Sequence, residues 1–366
     1  METAGSSPRL LEFEKTIAAC NLRGQWQVDA NRPQKVGRNA QGNLYIEPVP
    51  SGVPHVWRWK DMQPFLREAC EAMPESETAR RALIFANPKL PRGTTHTMIS
   101  TLQIVRAGEI AWAHRHMINA LRVAIRGGPQ VFTIVNGRPL AMHPYDVLLT
   151  PGWTWHDHRN ESGEDAVWLD ALDVPFTLAL NQQFYEDFGD IAQPKSRDDA
   201  TFSPLMRSAG ARATDDPRPW RYAWSDMERQ IAAGAGEAPD PRRGRVIDYV
   251  NPLNGGPVLA TIHVAAQVLP PGFEGKFHRE TASNMSLVAR GEGRTIFADG
   301  EMDWETHDCL VTPNWTWRRH VNRSKKEPAI LINLSDSPIL SAFGFHRLED
   351  ESSFRAPSSR PREAAE

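Results

Sequence analysis

Cysteine is scarce. Cys20, Cys70 and Cys309 are the three in 366 residues, far apart and without pairing or zinc-type spacing. So odd and sparse a set argues against a disulfide framework and fits a reducing cytoplasm. Long apolar runs are also lacking, so no membrane-spanning helix is expected. The opening residues, METAGSSPRLLEFEKT, carry no apolar signal core and no cleavage-site pattern. Nor does one sign of charge dominate: 42 basic and 45 acidic residues give a net charge of −3, which offers nucleic acid no electrostatic footprint. The 12 Trp and the 40% apolar fraction exclude a mostly disordered chain. At roughly 100–200 residues per domain, the length suggests two domains. A soluble, cytoplasmic, globular protein is expected, with its chemistry still open.

What is present begins with a repeat. Residues 147–160 read VLLTPGWTWHDHRN and residues 309–322 read CLVTPNWTWRRHVN. Upstream, HRHMINALRVAIRG (114–127) parallels HRETASNMSLVARG (278–291). Gly127 to Trp155 spans 28 positions and Gly291 to Trp317 spans 26, a two-residue loop difference within a duplicated module. Each module reads as short alternating strands punctuated by turn residues, among them Asn136-Gly137, a type I′ hairpin signal, and Asp299-Gly300. Regularly spaced antiparallel strands predict an all-β chain of two jelly-roll barrels. The expected divisions are an N-terminal helical and extended arm over 1–94, a catalytic barrel over 95–180, and a linker with a short helix over 181–250. A second, degenerate barrel over 251–345 and a polar tail over 346–366 complete the chain. FLREACEA reads as helix and SGVPHVWRW as extended.

His114 and His116 lie two apart in a strand, so their side chains share a face. His156, from a later strand, can complete a compact set of three neutral nitrogen ligands. Imidazole alone leaves Zn, Ni and Cu open, whereas facial ligands with open positions suit non-haem Fe(II) and O₂. The bland alternative is a group of buried, hydrogen-bonded histidines.

Gly108, His114-x-His116 and Gly127, followed by Pro151, His156 and Asn160, resemble the two signatures of the cupin superfamily. The glutamate usual beyond the second histidine is replaced by Ala120 and Leu121, as in three-histidine cupins. AHRHMINALRVAIRG, TPGWTWHDHRN and WLDALDVPF further resemble the bicupin gentisate, salicylate and 1-hydroxy-2-naphthoate 1,2-dioxygenases. VPHVWRW and RRALIFANP extend that likeness along nearly the whole chain. The resemblance implies one Fe(II) per chain, O₂ as co-substrate, and a small aromatic hydroxy-acid cleaved between its carboxylate- and hydroxyl-bearing carbons. Gentisate, giving maleylpyruvate, is expected first; salicylate, a 5-substituted salicylate such as nitrosalicylate, or 1-hydroxy-2-naphthoate are alternatives. A non-enzymatic anion-binding cupin is the competing class. The resemblance also implies a homo-oligomer, a tetramer by family precedent, with no nucleic-acid or membrane partner.

Arg122 lies at an even offset from His116 and is expected inside the barrel, gripping a substrate carboxylate or salt-bridged to Asp170. The resemblance adds Arg80 as a pocket arginine, with Arg81 structural, and Gln103 as a pocket glutamine. His158 is either an acid/base group or a packed histidine, and Asp170 a pocket acid. Trp153 and Trp155 are expected in the core. Ile118 and MISTLQ (98–103) depart from the family where ring substituents should be sensed. In the second module Glu280 and Arg318 replace His116 and His156. A metal there would need His278, Glu280 and His320; a structural and assembly role is the simpler expectation.

Overall fold

The computed structural model describes residues 7–24, 34–38, 42–73, 81–195 and 221–353. The chain divides into a small unit, Met1–Val49, and a large one, Pro50–Glu366. In the small unit the helix Pro8–Ala19 begins with Ser7 Oγ accepting the Leu10 N–H at 3.2 Å, and Pro8 occupies its first turn. The strands Gln34–Arg38 and Leu44–Pro48 form an antiparallel hairpin.

In the large unit the alternating runs build two double-sheet barrels of antiparallel strands. The first barrel's larger sheet runs Arg221–Tyr222, Val147–Thr150, Ala120–Arg126, Ala166–Leu172, Ile99–Val105, Arg81–Ile84. Its smaller sheet runs Tyr185–Asp187, Ile110–His116, His156–Asn160, Gly128–Val135, Arg138–Met142. The second barrel repeats the plan: Arg245–Asp248, His263–Leu269, Ala329–Ser335, Asn284–Arg290, Cys309–Thr312 and His55–Trp57 face a five-stranded sheet that contains His278–Glu280 and Arg318–Asn322. The Asn136-Gly137 hairpin has φ of 48° and 78°, both positive as a type I′ turn requires.

The larger sheets are buried on both faces. Leu121, Val123 and Ile125 share one core cluster with Met285, Leu287 and Ala289 of the second barrel, so the barrels join through these sheets. Ala124 belongs instead to the interior of the first barrel, with Val105, Leu148 and Trp168. By the two-residue period of a strand, Arg122 points into that interior too. The segment read as an extended arm does more than lie along the surface. His55–Trp57 pairs with Cys309–Val311, and Arg58 meets Asp308 at 2.9 Å.

The repeated Trp-Thr-Trp has a specific task. The Arg115 guanidinium lies 4.3 Å from the ring centres of both Trp153 and Trp155, and Arg279 lies 4.0 and 4.8 Å from those of Trp315 and Trp317. Each arginine also grips a short closing strand, Arg115 through Glu186 and Arg279 through Glu349. Trp153 and Trp155 therefore do not fill the core. Trp153 remains 37% exposed, because an aromatic face can hold a cation at the surface as well as pack. Arg279→Ala, remote from the first barrel, is expected to cost about 2 kcal/mol from the lost cation–π and charge-assisted contacts. Thermal denaturation checks this, and an unchanged Tm would show that the clasp does not hold the closing strand.

Candidate metal centre and substrate cavity

His114 and His156 are direct cross-strand neighbours, and the pairing register shifts between His156 and His158. A bulge there re-aims the strand beside the histidines. The three rings converge with centroids 5.4 Å (His114–His116), 4.2 Å (His114–His156) and 4.9 Å (His116–His156) apart. One nitrogen from each lies within 4.8 Å of the others. Each Nδ1 faces a backbone carbonyl: Trp112 at 2.8 Å, Ile118 at 2.9 Å and Thr154 at 3.0 Å. A carbonyl can only accept, so each Nδ1 carries the proton and each Nε2 keeps its lone pair for a ligand role. Burial, with the neighbouring His114, His116 and Arg122 acting in the same direction, holds His156 well below the ordinary imidazole pKa and keeps it neutral. Three imidazoles pre-oriented by their Nδ1 contacts suit a divalent metal.

A cavity of about 270 Å³ opens on this triad, and Gln103, Arg122, His158 and Asp170 all line it. Arg122 Nε lies 3.1 Å from Asp170 Oδ1, and its Nη1 donates to Thr150 Oγ1. Arg122 thus lines the cavity and makes the pair with Asp170 that was the structural alternative for it. Asp170 Oδ2 also accepts from Trp168 Nε1 at 3.0 Å. Burial pushes the Asp170 carboxyl up to about 6, against the pull of Arg122, Trp168 and Thr101. Gln103 is 7% exposed, and its Nε2 has no partner among the described residues, which leaves a buried donor on a residue that lines the cavity. His158 Nδ1 meets Thr133 Oγ1 at 3.0 Å. The same pair recurs as His320 and Thr295 at 2.9 Å, so it belongs to the barrel's architecture whatever else His158 does.

The family model for the Cupin domain matches residues 101–172 and 265–335. Over 360 residues, 96% of this chain and 91% of the relative, the sequence is 37% identical to a 1-hydroxy-2-naphthoate 1,2-dioxygenase of Nocardioides sp. (strain KP7). The chain belongs to the cupin ring-cleaving 1,2-dioxygenases. It is also 38% identical to a 5-aminosalicylate 1,2-dioxygenase of Comamonas sp over 83% of this chain and 82% of that one. The salicylate 1,2-dioxygenase of Pseudoaminobacter salicylatoxidans, solved as an adduct with gentisate, superposes with a TM-score of 0.79 at 28% identity, covering 96% of both chains. Such dioxygenases are oxidoreductases that place both atoms of O₂ in the product.

In this dioxygenase Arg81 is spent on a bidentate pair with Glu109, 2.7 Å on each arm, and does not line the cavity. Arg80 lies outside the described residues. Sequence reading missed Ala82, Leu172, Gln183 and Tyr185 as lining residues. Tyr185 stacks on His114, ring centres 5.6 Å apart, from a three-residue strand that carries no alternation to read. In the second barrel Arg318 donates to Glu280. Among the described residues the metal-type cluster is the His114–His116–His156 set, and none falls in the second barrel. No helix among the described residues is long and apolar enough to cross a membrane.

Proposed function

We propose that the chain uses one Fe(II), held by His114, His116 and His156, to cleave an aromatic ring between adjacent carboxylate- and hydroxyl-bearing carbons. The observation that carries this reading is the triad with all three Nδ1 atoms tied to carbonyls, opening on a cavity that contains an arginine. Fe(II) bound there would supply the path by which electrons leave the ring for O₂. The protein's own part is placement. Arg122 takes the substrate carboxylate through charge-assisted bonds, and Gln103 Nε2 donates to an oxygen substituent of the ring. His158 takes up or returns the hydroxyl proton, and Asp170 orients Arg122. Arg80 is assigned a substrate contact by family resemblance alone.

Gentisate, opened to maleylpyruvate, is the first substrate to test, supported by the relative solved with gentisate. A second reading, 1-hydroxy-2-naphthoate, is favoured by apolar lining from Ile118 and Leu172, which suits a fused ring, and by the 37% identity to a relative named for that compound. Oxygen uptake by anaerobically Fe(II)-reconstituted protein against gentisate, salicylate, 5-substituted salicylates and 1-hydroxy-2-naphthoate tests the proposal. Uptake of one O₂ per ring opened is expected with at least one of them. Binding without uptake across the panel would leave an anion-binding cupin and reject the enzyme; kcat/KM then ranks the substrates.

A further inference from the structure

The second barrel encloses a cavity of its own, about 300 Å³, at the place where the first barrel holds its site. Strand pairing makes the correspondence explicit: Arg122 opposes Asp170 in the first barrel, and Ser286 opposes Asn333 in the second. Gln103 has its counterpart in Gln267, which also lines its cavity. The ligand positions of His116 and His156 hold Glu280 and Arg318. A fixed organic cation therefore stands where the first barrel is built to hold a metal.

That cation is only partly satisfied. Arg318 is 4% exposed and donates through Nη2 to Glu280 Oε1. Its Nε and Nη1 are buried in the cavity wall without a partner among the described residues, and so is the Nε of Arg243. The other oxygen of Glu280 lies 3.4 Å from His346 Nε2. Asp248 bonds His263 at 3.1 Å and is exposed at the rim. Burial, reinforced by Arg318, lowers His278 to about 4 and His320 to about 3, so neither adds positive charge near neutral pH. Buried guanidinium N–H groups without a partner among the described residues call for an acceptor, and an anionic one gains most from the guanidinium charge. No Phe, Tyr or Trp ring lines this cavity among the described residues, and its walls are mostly polar, which disfavours an aromatic guest.

We propose that the second barrel is a binding site for a small aliphatic carboxylate, held by Arg318 and Arg243. It is independent of the first-barrel site. Malonate is the probe, titrated calorimetrically into the full-length protein, metal-loaded in every case but His156→Ala, with benzoate and inorganic phosphate as comparators. Four proteins are compared: wild type, His156→Ala, the charge-neutral double variant Arg318→Gln/Glu280→Gln, and Arg243→Gln. The double variant removes both members of the ion pair, so neither charge is stranded. If it does not fold, Arg243→Gln still reads the site. Wild type and His156→Ala are expected to bind one malonate per chain, and the double variant and Arg243→Gln to bind it at least about ten-fold more weakly. Benzoate and phosphate are expected to bind less tightly than malonate. Any of three results overturns the proposal: no malonate binding by wild type up to about 10 mM, binding lost in His156→Ala but kept in the Arg318 and Arg243 variants, or phosphate or benzoate binding more tightly than malonate.

Discussion

His156→Ala is expected to empty the metal centre and abolish oxygen uptake while leaving both barrels folded. His156 is 1% exposed, and it is the member of the triad that comes from the second of the two strands forming the centre. Without it, His114 and His116 remain as two imidazoles on one strand, too few to fix a divalent ion in a facial geometry. Loss of a group that merely orients a ligand lowers metal affinity by about ten- to a hundred-fold, so loss of a ligand itself should exceed that. Bound metal is expected to fall from about one per chain to under about a tenth, and kcat/KM by about a thousand-fold or more. Part of any fall in Tm belongs to the metal, because a ligand that binds only the folded state stabilises it by mass action. Metal-free wild type is therefore the reference: the variant should melt within a few degrees of it. The measurement is metal content per chain after dialysis, alongside oxygen uptake. A His156→Ala protein that retains one tightly bound metal would remove His156 from the ligand set.

The centre was legible in sequence because two simple periods meet there. His114 and His116 share a face by the strand period, and the repeated Trp-Thr-Trp frame points to His156 as the third member. The interior position of Arg122 follows from the same parity, since its strand alternates between the core shared by the barrels and the first barrel's interior. Long-range pairings were not legible. His55–Trp57 completes a sheet of the second barrel and Arg58 meets a carboxylate 250 positions away, and no local pattern encodes either partner. Tyr185 escaped for a related reason: its three-residue strand is exposed throughout and exists only by pairing with Arg115 and its neighbours. Trp153 and Trp155 were misplaced because aromatic residues are usually assigned to cores, whereas here their faces hold Arg115. The second cavity was hidden by its own chemistry. Glu280 and Arg318 read as the loss of a metal site, and only the geometry leaves three guanidinium nitrogens, two of Arg318 and one of Arg243, without acceptors among the described residues.

Arg122→Met should separate the two things this arginine does. Its ion pair with Asp170 is buried, and stranding a buried partner ordinarily costs about 3–5 kcal/mol. Asp170 has an escape, however. Burial already raises it to about 6, so without the guanidinium it would take up a proton and avoid the full penalty of a lone charge. The variant is therefore expected to fold and to keep its metal, with a loss of stability nearer about 1–2 kcal/mol. Its main defect should be in the substrate. Removing a charge-assisted contact to the carboxylate costs roughly 1.5–3 kcal/mol, about ten- to a hundred-fold in KM. A further loss in kcat should follow, because ring and O₂ must be aligned at one centre. Arg122→Lys should rescue in part, since a point charge cannot reproduce the planar donor geometry. Asp170→Asn supplies the contrast: Arg122 keeps Thr150 as a partner, so KM should rise much less than in Arg122→Met. Melting temperature, bound metal and KM, measured on one preparation of each variant, separate the outcomes. A folded, metal-loaded Arg122→Met protein with unaltered KM would mean that the pair with Asp170 is the arginine's whole purpose and that the substrate carboxylate is held elsewhere.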